Sequence, residues 1–149
     1  MTESKDIRKR EALIKIHSTQ KVGADKDAID LLTTGSFSRR RNKYYICYEE
    51  TEASGFNGSR TMLKFDPEAG CITMNRSGSA HAQLIIEEGR RHQCNYDTGF
   101  GSMTIGVLGN GFKSSLSDEG GDLTFRYSLD VDTSLASENR VDITVALTN

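Results

Sequence analysis

The chain has 149 residues, enough for one domain with a sizeable core, and its 19 Lys and Arg nearly balance its 21 Asp and Glu at a net charge of −2. This balance argues against a nucleic acid or a membrane surface as the partner. We expect residues 1–149 to form a single domain, with residues 1–11 as a flexible N-terminal arm.

Cysteine and histidine usage indicates the compartment and argues against a metal site. Cys47, Cys71 and Cys94 form no C-x-x-C pair, and an odd number of cysteines is a poor disulfide framework. No apolar run approaches the roughly 18 residues of a membrane span, and no signal peptide is visible. We therefore predict a cytoplasmic protein with reduced thiols. His81, His92 and Cys94 lack the closely spaced pairs of zinc sites, so neither a metal nor another cofactor is expected.

Apolar and polar residues alternate with a period of two from residue 13 onward, which predicts β-strands. In the first half of the chain the predicted strands are residues 12–19, 31–39, 43–50, 59–66 and 71–76. Residues 21–27 are predicted to form a loop, and Gly35 a bulge or bend in the second strand. Arg41-Asn42 and Asn57-Gly58 are predicted hairpin turns.

The second half continues the pattern. Strands are predicted at residues 81–87, 90–97, 101–108, 112–116 and 123–131, and at a C-terminal strand with Val141, Ile143, Val145 and Leu147 on one face. No helix of normal length separates them, so parallel β-α-β units are not expected. About ten short strands with regular turns indicate an all-β sandwich or barrel, and closure into a barrel would remove the exposed edges.

Several short segments carry a family resemblance: Tyr44-Tyr45-Ile46-Cys47-Tyr48-Glu49-Glu50, Arg76-Ser77-Gly78, Glu87-Glu88-Gly89-Arg90-Arg91-His92, Tyr96-x-Thr98 with Gly101, and Ser137-Glu138-Asn139-Arg140. With them the chain, from about Ile14 to Val145, resembles the YwiB-like family of small bacterial proteins. The resemblance implies a single antiparallel up-and-down barrel of the calycin or lipocalin type, with about eight to ten strands, in a bacterial cytosol. The family supplies no activity. Where it usually has Thr-Pro-Tyr-Gly, this chain has Thr98-Gly99-Phe100-Gly101.

Two charged residues are predicted to lie on the inner face of the barrel. Glu50 continues the face of Tyr44, Ile46 and Tyr48, and Arg76 continues the face of Ile72 and Met74. A charge that enters a barrel must be paired, because the loss of hydration costs several kcal/mol. We predict a polar cluster at one barrel end, which either orients the polar or anionic head of a ligand or closes the barrel as an ion-pair plug.

Four further residues complete the predicted ligand site. Arg91 and His92 are candidates to join the polar cluster, and Tyr96 and Phe100 are aromatic candidates beside it. His92 shares one strand face with Cys94 and Tyr96, but side chains two residues apart on a strand lack the third group that orients a nucleophile pair. We therefore assign no catalytic residue, although a hydrolase-like activity built on His92 is a weaker third reading.

The preferred function from the sequence is a barrel that binds a small apolar or anionic molecule in its interior without catalysis. The wall candidates are Leu63, Phe65, Ile72, Met74, Phe125, Tyr127 and Leu129. The alternative is an accessory module that contacts protein or RNA through the basic hairpin tip Arg39-Arg40-Arg41-Asn42-Lys43. The sequence leaves the oligomeric state open, with a dimer as one option.

Overall fold

The computed structural model describes residues 7–54, 57–78, 81–97 and 101–148 and contains ten strands. They are β1 (Ile7–Val22), β2 (Asp25–Arg40), β3 (Lys43–Glu49), β4 (Ser59–Asp66), β5 (Cys71–Gly78), β6 (His81–Glu87), β7 (Arg91–Asp97), β8 (Ser102–Ser114), β9 (Gly120–Val131) and β10 (Ser134–Leu147). Each strand pairs antiparallel with the next, and β10 pairs with β1, so the sheet closes. The predicted all-β, up-and-down antiparallel barrel is confirmed.

Helical structure is minimal in the described residues. A single 3₁₀ turn, Glu52–Ser54, follows β3. Over the described ranges, no helix has the length and apolarity needed to span a membrane.

The first hairpin is much longer than predicted. β1 and β2 have 16 residues each, and a turn at Gly23 and Ala24 replaces the predicted loop at residues 21–27. Residues 7–11, expected to belong to a flexible arm, lie in β1; residues 1–6 lie outside the described residues. The outer half of the hairpin is exposed, so its sequence carries no apolar alternation, while backbone pairing with β10 continues as far as Lys21.

Two glycine-based expectations also change. The predicted strands at residues 101–108 and 112–116 are one strand, β8, and the glycine-rich break between them is a bulge between Gly109 and Phe112. Gly35, in contrast, is not a bulge, because its pairing with β1 and β3 is regular. A Cβ at Gly35 would lie 2.0 Å from the Cys47 carbonyl oxygen, so the residue must be glycine for β2 and β3 to approach.

Large side chains fill much of the barrel interior. The fully buried set is Ile14, Phe37, Ile46, Leu63, Phe65, Ile72, Val107, Leu123, Phe125 and Ile143. Phe65 packs edge-on against Phe112 with ring centroids 5.2 Å apart. Four of the predicted pocket-wall residues therefore belong to a packed core, as is common in small barrels.

The two barrel ends differ in chemistry. β3 runs from Tyr44, which packs beside Phe37 and Phe65, to Glu49 and the adjoining buried Glu50. We call these the aromatic end and the polar end. Because β3 and β4 are antiparallel, Ser59, the first residue of β4, also lies at the polar end. A site built on the buried Glu50 therefore lies at the polar end.

Candidate functional site

Glu50 and Arg76 lie on the same inner wall at the polar end, as predicted. Tyr48 pairs with Thr61 across β3 and β4, and Thr61 pairs with Arg76 across β4 and β5. Residues directly opposite in a ladder share a face, so Tyr48, Thr61 and Arg76 form one inward row. Glu50 follows Tyr48 by two residues, and its amide donates to the Ser59 carbonyl at 2.9 Å, which keeps it on this face.

The Glu50 carboxylate is the most buried charge in this row. Its side chain is 3% exposed, the Thr61 hydroxyl donates to Oε2 at 3.0 Å, and Arg76 Nη2 lies 3.4 Å from the same oxygen. The Arg76 side chain is 17% exposed, so it reaches from the buried carboxylate toward solvent. This geometry places a guanidinium, backed by a carboxylate, near the barrel mouth.

Two tyrosines, the buried Tyr48 and the partly buried Tyr127, lie within the electrostatic range of Arg76. Burial raises the pKa of Tyr48 far above its ordinary value of 10.0, and the Glu50 charge raises it further, while Arg76 opposes both. Burial raises the pKa of Tyr127 to about 12, again against the influence of Arg76. Both hydroxyls therefore remain neutral at physiological pH. We call Tyr48, Glu50, Thr61, Arg76 and Tyr127 the mouth cluster.

The prediction that Arg91 could join this cluster is wrong. Arg91 Nε and Nη2 donate to the two Asp130 oxygens at 2.9 and 2.7 Å on the outer face of the wall. The guanidinium lies over Gly106, where a Cβ would come within 2.3 Å of its nitrogens. The Arg91 hydrogen bond also holds the pKa of the Asp130 carboxyl below its ordinary value. Arg91 belongs to an external ion pair.

His92, Cys94 and Tyr96 share the inner face of β7, as predicted from their spacing. His92 does not reach the mouth cluster by any hydrogen bond in the described residues; its Nε2 lies 2.9 Å from Glu87 Oε1. The Cys94 thiol accepts a hydrogen bond from the Ile85 amide at 3.4 Å. Tyr96 lies nearer to the mouth cluster than His92 does, because a charge on Tyr96 would raise the pKa of Tyr127. Phe100 lies outside the described residues.

Thiol chemistry and metal ligation find little support in this arrangement. Cys47, Cys71 and Cys94 are all free, and burial raises the pKa of the Cys71 thiol. In the described ranges, no group of three His, Cys, Asp or Glu side chains could hold a metal ion. The described part of the chain thus offers the mouth cluster as its main concentration of buried polar groups.

The strand periodicity predicts two members of the mouth cluster, Glu50 and Arg76, as polar anchors. It predicts Tyr48 and Tyr127 only as inward positions, and it assigns no role to Thr61. The signal in the sequence is the two-residue spacing of Tyr48 and Glu50, which places both side chains on the same face of a strand. The contact of Thr61 with both neighbours depends on the register between strands, which the sequence does not state.

The predicted hairpin tip is present, with Arg41 and Asn42 at positive φ angles of 52° and 65° in a two-residue turn. Arg39, at the base of the tip, donates from Nη2 to Asp118 Oδ2 at 3.2 Å and also from Nε to the same carboxylate. The tip is therefore fixed to the segment that precedes β9.

Comparison with known proteins assigns a family and supports the fold. The chain belongs to the family described as a domain of unknown function, DUF1934, which matches residues 14–143. The crystal structure of the ywiB protein from Bacillus subtilis is similar, with a TM-score of 0.80 at 20% sequence identity over 95% of this chain and 94% of that chain. No curated protein matches the chain. The YwiB-like resemblance predicted from the sequence is confirmed, and at this identity the likeness shows the fold alone.

Proposed function

We propose that this DUF1934 barrel binds a small molecule with a carboxylate or phosphate group at its polar end, without catalysis. The observation that carries the proposal is the Arg76 guanidinium, which lies on the inner wall, is partly exposed and is backed by the buried Glu50. The packed aromatic half of the interior does not favour a wholly apolar ligand, so the anionic alternative is preferred.

The chemistry of the mouth cluster suits an oxyanion. A guanidinium presents N–H donors in a planar fork that matches carboxylate and phosphate oxygens. Two neutral tyrosine hydroxyls, those of Tyr48 and Tyr127, can add donors without adding charge. Glu50 would then hold the guanidinium in place, as an outer partner holds a ligand-binding group.

The geometry of the ion pair favours a ligand site over a closed plug. Strong charge-assisted hydrogen bonds are about 2.7–2.9 Å long. Arg91 and Asp130 reach such distances with two bonds, whereas the Arg76–Glu50 contact is 3.4 Å. In a pair that served only to seal the barrel both side chains would be buried, whereas the Arg76 side chain is 17% exposed and that of Glu50 is 3% exposed.

Thermal unfolding in the presence of small carboxylates and phosphates tests the proposal. A ligand at about one hundred times its Kd stabilises the folded state by about 2.7 kcal/mol, which corresponds to a rise in Tm of roughly 5–10 °C for a chain of this size. We expect at least one compound class to produce such a rise in the natural protein and Arg76→Met to abolish it.

Arg91→Met provides the matched control, because it removes an arginine from an ion pair on the outer face. This variant should keep the full ligand-induced rise. The proposal fails if neither carboxylates nor phosphates stabilise the protein, or if Arg76→Met responds as the natural protein does. The carboxylate and phosphate arms of the panel separate the two ligand classes.

A second candidate function is contact with protein or RNA near the basic tip at residues 39–43. The specific observation in its favour is an open groove of about 760 Å³ beside the tip, on the outer wall, which includes Arg40 and borders Arg39. The free thiols fit a reducing compartment for either function.

A further inference from the structure

We propose that the outer wall of β1–β4 binds single-stranded nucleic acid in a basic groove, an inference that rests on the second candidate function and names its partner. The basic groove is defined by three basic residues and two floor residues: Arg8, Lys9, Arg40, Tyr45 and Met62. Arg39 borders the groove, but its side chain lies on the face of Tyr44 and bonds Asp118. It is distinct from the mouth cluster, which lies on the inner face of the barrel.

Acidic and basic residues lie at different places on the protein, although their numbers nearly balance in the sequence. β2 begins with Asp25, Asp27 and Asp30 at the polar end and finishes with Arg39 and Arg40 at the aromatic end. Among the described residues, none that lines the basic groove is acidic. The net charge of −2, which argued against a nucleic acid partner, therefore does not describe this surface.

Three basic side chains of the groove are available to phosphates. Arg8, Lys9 and Arg40 are exposed, and within the described part of the chain they make no hydrogen bond or ion pair. Arg8 and Lys9 lie where the pairing of β1 with β2 shifts between Ile7 and Arg10, which turns this stretch out of the regular ladder. Arg39 is held by Asp118 and marks the edge of the groove.

The floor supplies a surface for bases. Ser38 pairs with Tyr45, and Ser36 pairs with Cys47, so small side chains separate the basic β1 segment from the aromatic ring on β3. Met62, 40% exposed, pairs with Cys47 and extends the floor onto β4. A tyrosine ring beside unpaired cations is the combination by which proteins bind single strands, with bases stacked on the ring and phosphates on the cations.

A second surface groove differs from the basic groove because acidic residues line it as well as basic ones. The groove over β8–β10 has a similar volume of about 740 Å³ but is lined by Asp122 and Asp142 as well as Arg140. Arg140 already bonds Asp142 at 3.3 Å, and Thr144 donates to Asp122 at 2.7 Å. Lys113 and Arg126 also line this groove, so its charges are mixed. A third groove, which joins β1 and β2 to β8–β10, combines Lys21, Lys26, Arg126 and Arg140 with Glu138. The basic groove differs from both because, among the described residues, no acidic side chain lines it.

The dimensions allow a short stretch of nucleic acid. The groove crosses three inter-strand intervals of about 4.8 Å, or about 14 Å in all. At the roughly 3.4 Å per nucleotide of a stacked strand, this length accommodates about four nucleotides. Three phosphate contacts predict a slope of log K against log salt near −2.

Fluorescence anisotropy with labelled oligouridine and oligothymidine of twelve nucleotides tests the proposal. At about 50 mM salt we expect saturable binding that weakens roughly fifteenfold at about 200 mM. The two probes separate RNA from DNA as the preferred strand. Arg8→Gln combined with Arg40→Gln should reduce the salt slope by more than one and weaken binding at least tenfold. Tyr45→Ser should weaken binding about tenfold, whereas Tyr45→Phe should not, because the ring is retained.

Lys15→Gln combined with Arg126→Gln is the matched control, since both residues are exposed on the outer wall away from the basic groove and the charge change is identical. The control should bind as the natural protein does. Equal weakening by both double variants, no saturable binding, or equally tight binding of a polyglutamate peptide would each overturn the proposal. Arg76→Met should leave oligonucleotide binding unchanged, so failure here and failure of small-molecule binding are separate outcomes.

Discussion

Arg76 and Glu50 face each other across the inner wall of the barrel with Thr61 between their strands, and the 3.4 Å contact joins a nearly buried carboxylate to a partly exposed guanidinium. This asymmetry suits a charge that is held from one side and accessible from the other.

The Arg76–Glu50 pair should show strong coupling in stability. Arg76→Met leaves the Glu50 charge buried without its partner, which should lower the free energy of unfolding by about 3 kcal/mol or more. The double variant with Glu50→Gln should recover a large part of this loss, as measured by urea unfolding of the natural protein, both single variants and the double variant. Additive losses would show that the two side chains do not interact.

The tyrosines of the mouth cluster should resist ionisation. Two of the five tyrosines, Tyr48 and Tyr127, have a raised pKa, about 12 for Tyr127, so their neutral forms stabilise the fold. This contribution is complete below their ordinary pKa of 10.0 and is lost as the pH rises through the folded values. Tyrosinate absorbance should therefore show late-titrating groups whose ionisation coincides with unfolding. Titration of all five near pH 10 would contradict the burial of this pair.

The hydrogen bonds of the external Arg91–Asp130 pair should depend on Gly106, which lies beneath the guanidinium. Gly106→Ala places a Cβ against the guanidinium, which must move away from Asp130. The pKa of Asp130, lowered mainly by the Arg91 hydrogen bond, should then rise toward its ordinary value of 3.8. The stabilisation from this lowered pKa is present above 3.8 and lost as the pH falls through the folded value. NMR titration of the carboxyl carbon measures the shift, and an unchanged Asp130 would refute the contact.

Gly35 should be intolerant of a side chain for a steric reason. Gly35→Ala directs a methyl group at the Cys47 carbonyl of the neighbouring strand, where only a backbone shift can relieve the contact. We expect a loss of about 2 kcal/mol or more in urea unfolding. Gly89→Ala tests backbone strain without a steric clash, since no atom lies within 4 Å of its added Cβ but its φ is +75°. A neutral Gly35→Ala would show that β2 and β3 are not so close.

The fold was predictable from the sequence wherever one strand face is buried. In β9, Leu123, Phe125 and Tyr127 alternate with polar residues, and the structure places them inside. The same parity placed Glu50 and Arg76 on the inner wall. The exposed part of the first hairpin has no such alternation, because neither of its faces meets the core, so the periodicity predicts a loop there.

The same rule explains the position of Arg91. His92, Cys94 and Tyr96 share one face of β7, and adjacent strand residues point to opposite faces, so Arg91 points outward. The basic groove was beyond prediction for a different reason. Arg8 and Tyr45 are far apart in the chain, and only the register of three strands brings them to one surface.

The most direct test of oxyanion binding at the polar end is NMR observation of the arginine Nε–H resonances during titration with small carboxylates and phosphates. We expect the Arg76 resonance to shift in a saturable manner, with Tyr127 and Tyr48 perturbed beside it and Arg91 unchanged. An Arg76 resonance that does not move while Arg8 and Arg40 shift would place anion binding on the outer wall alone and contradict a ligand site at the barrel mouth.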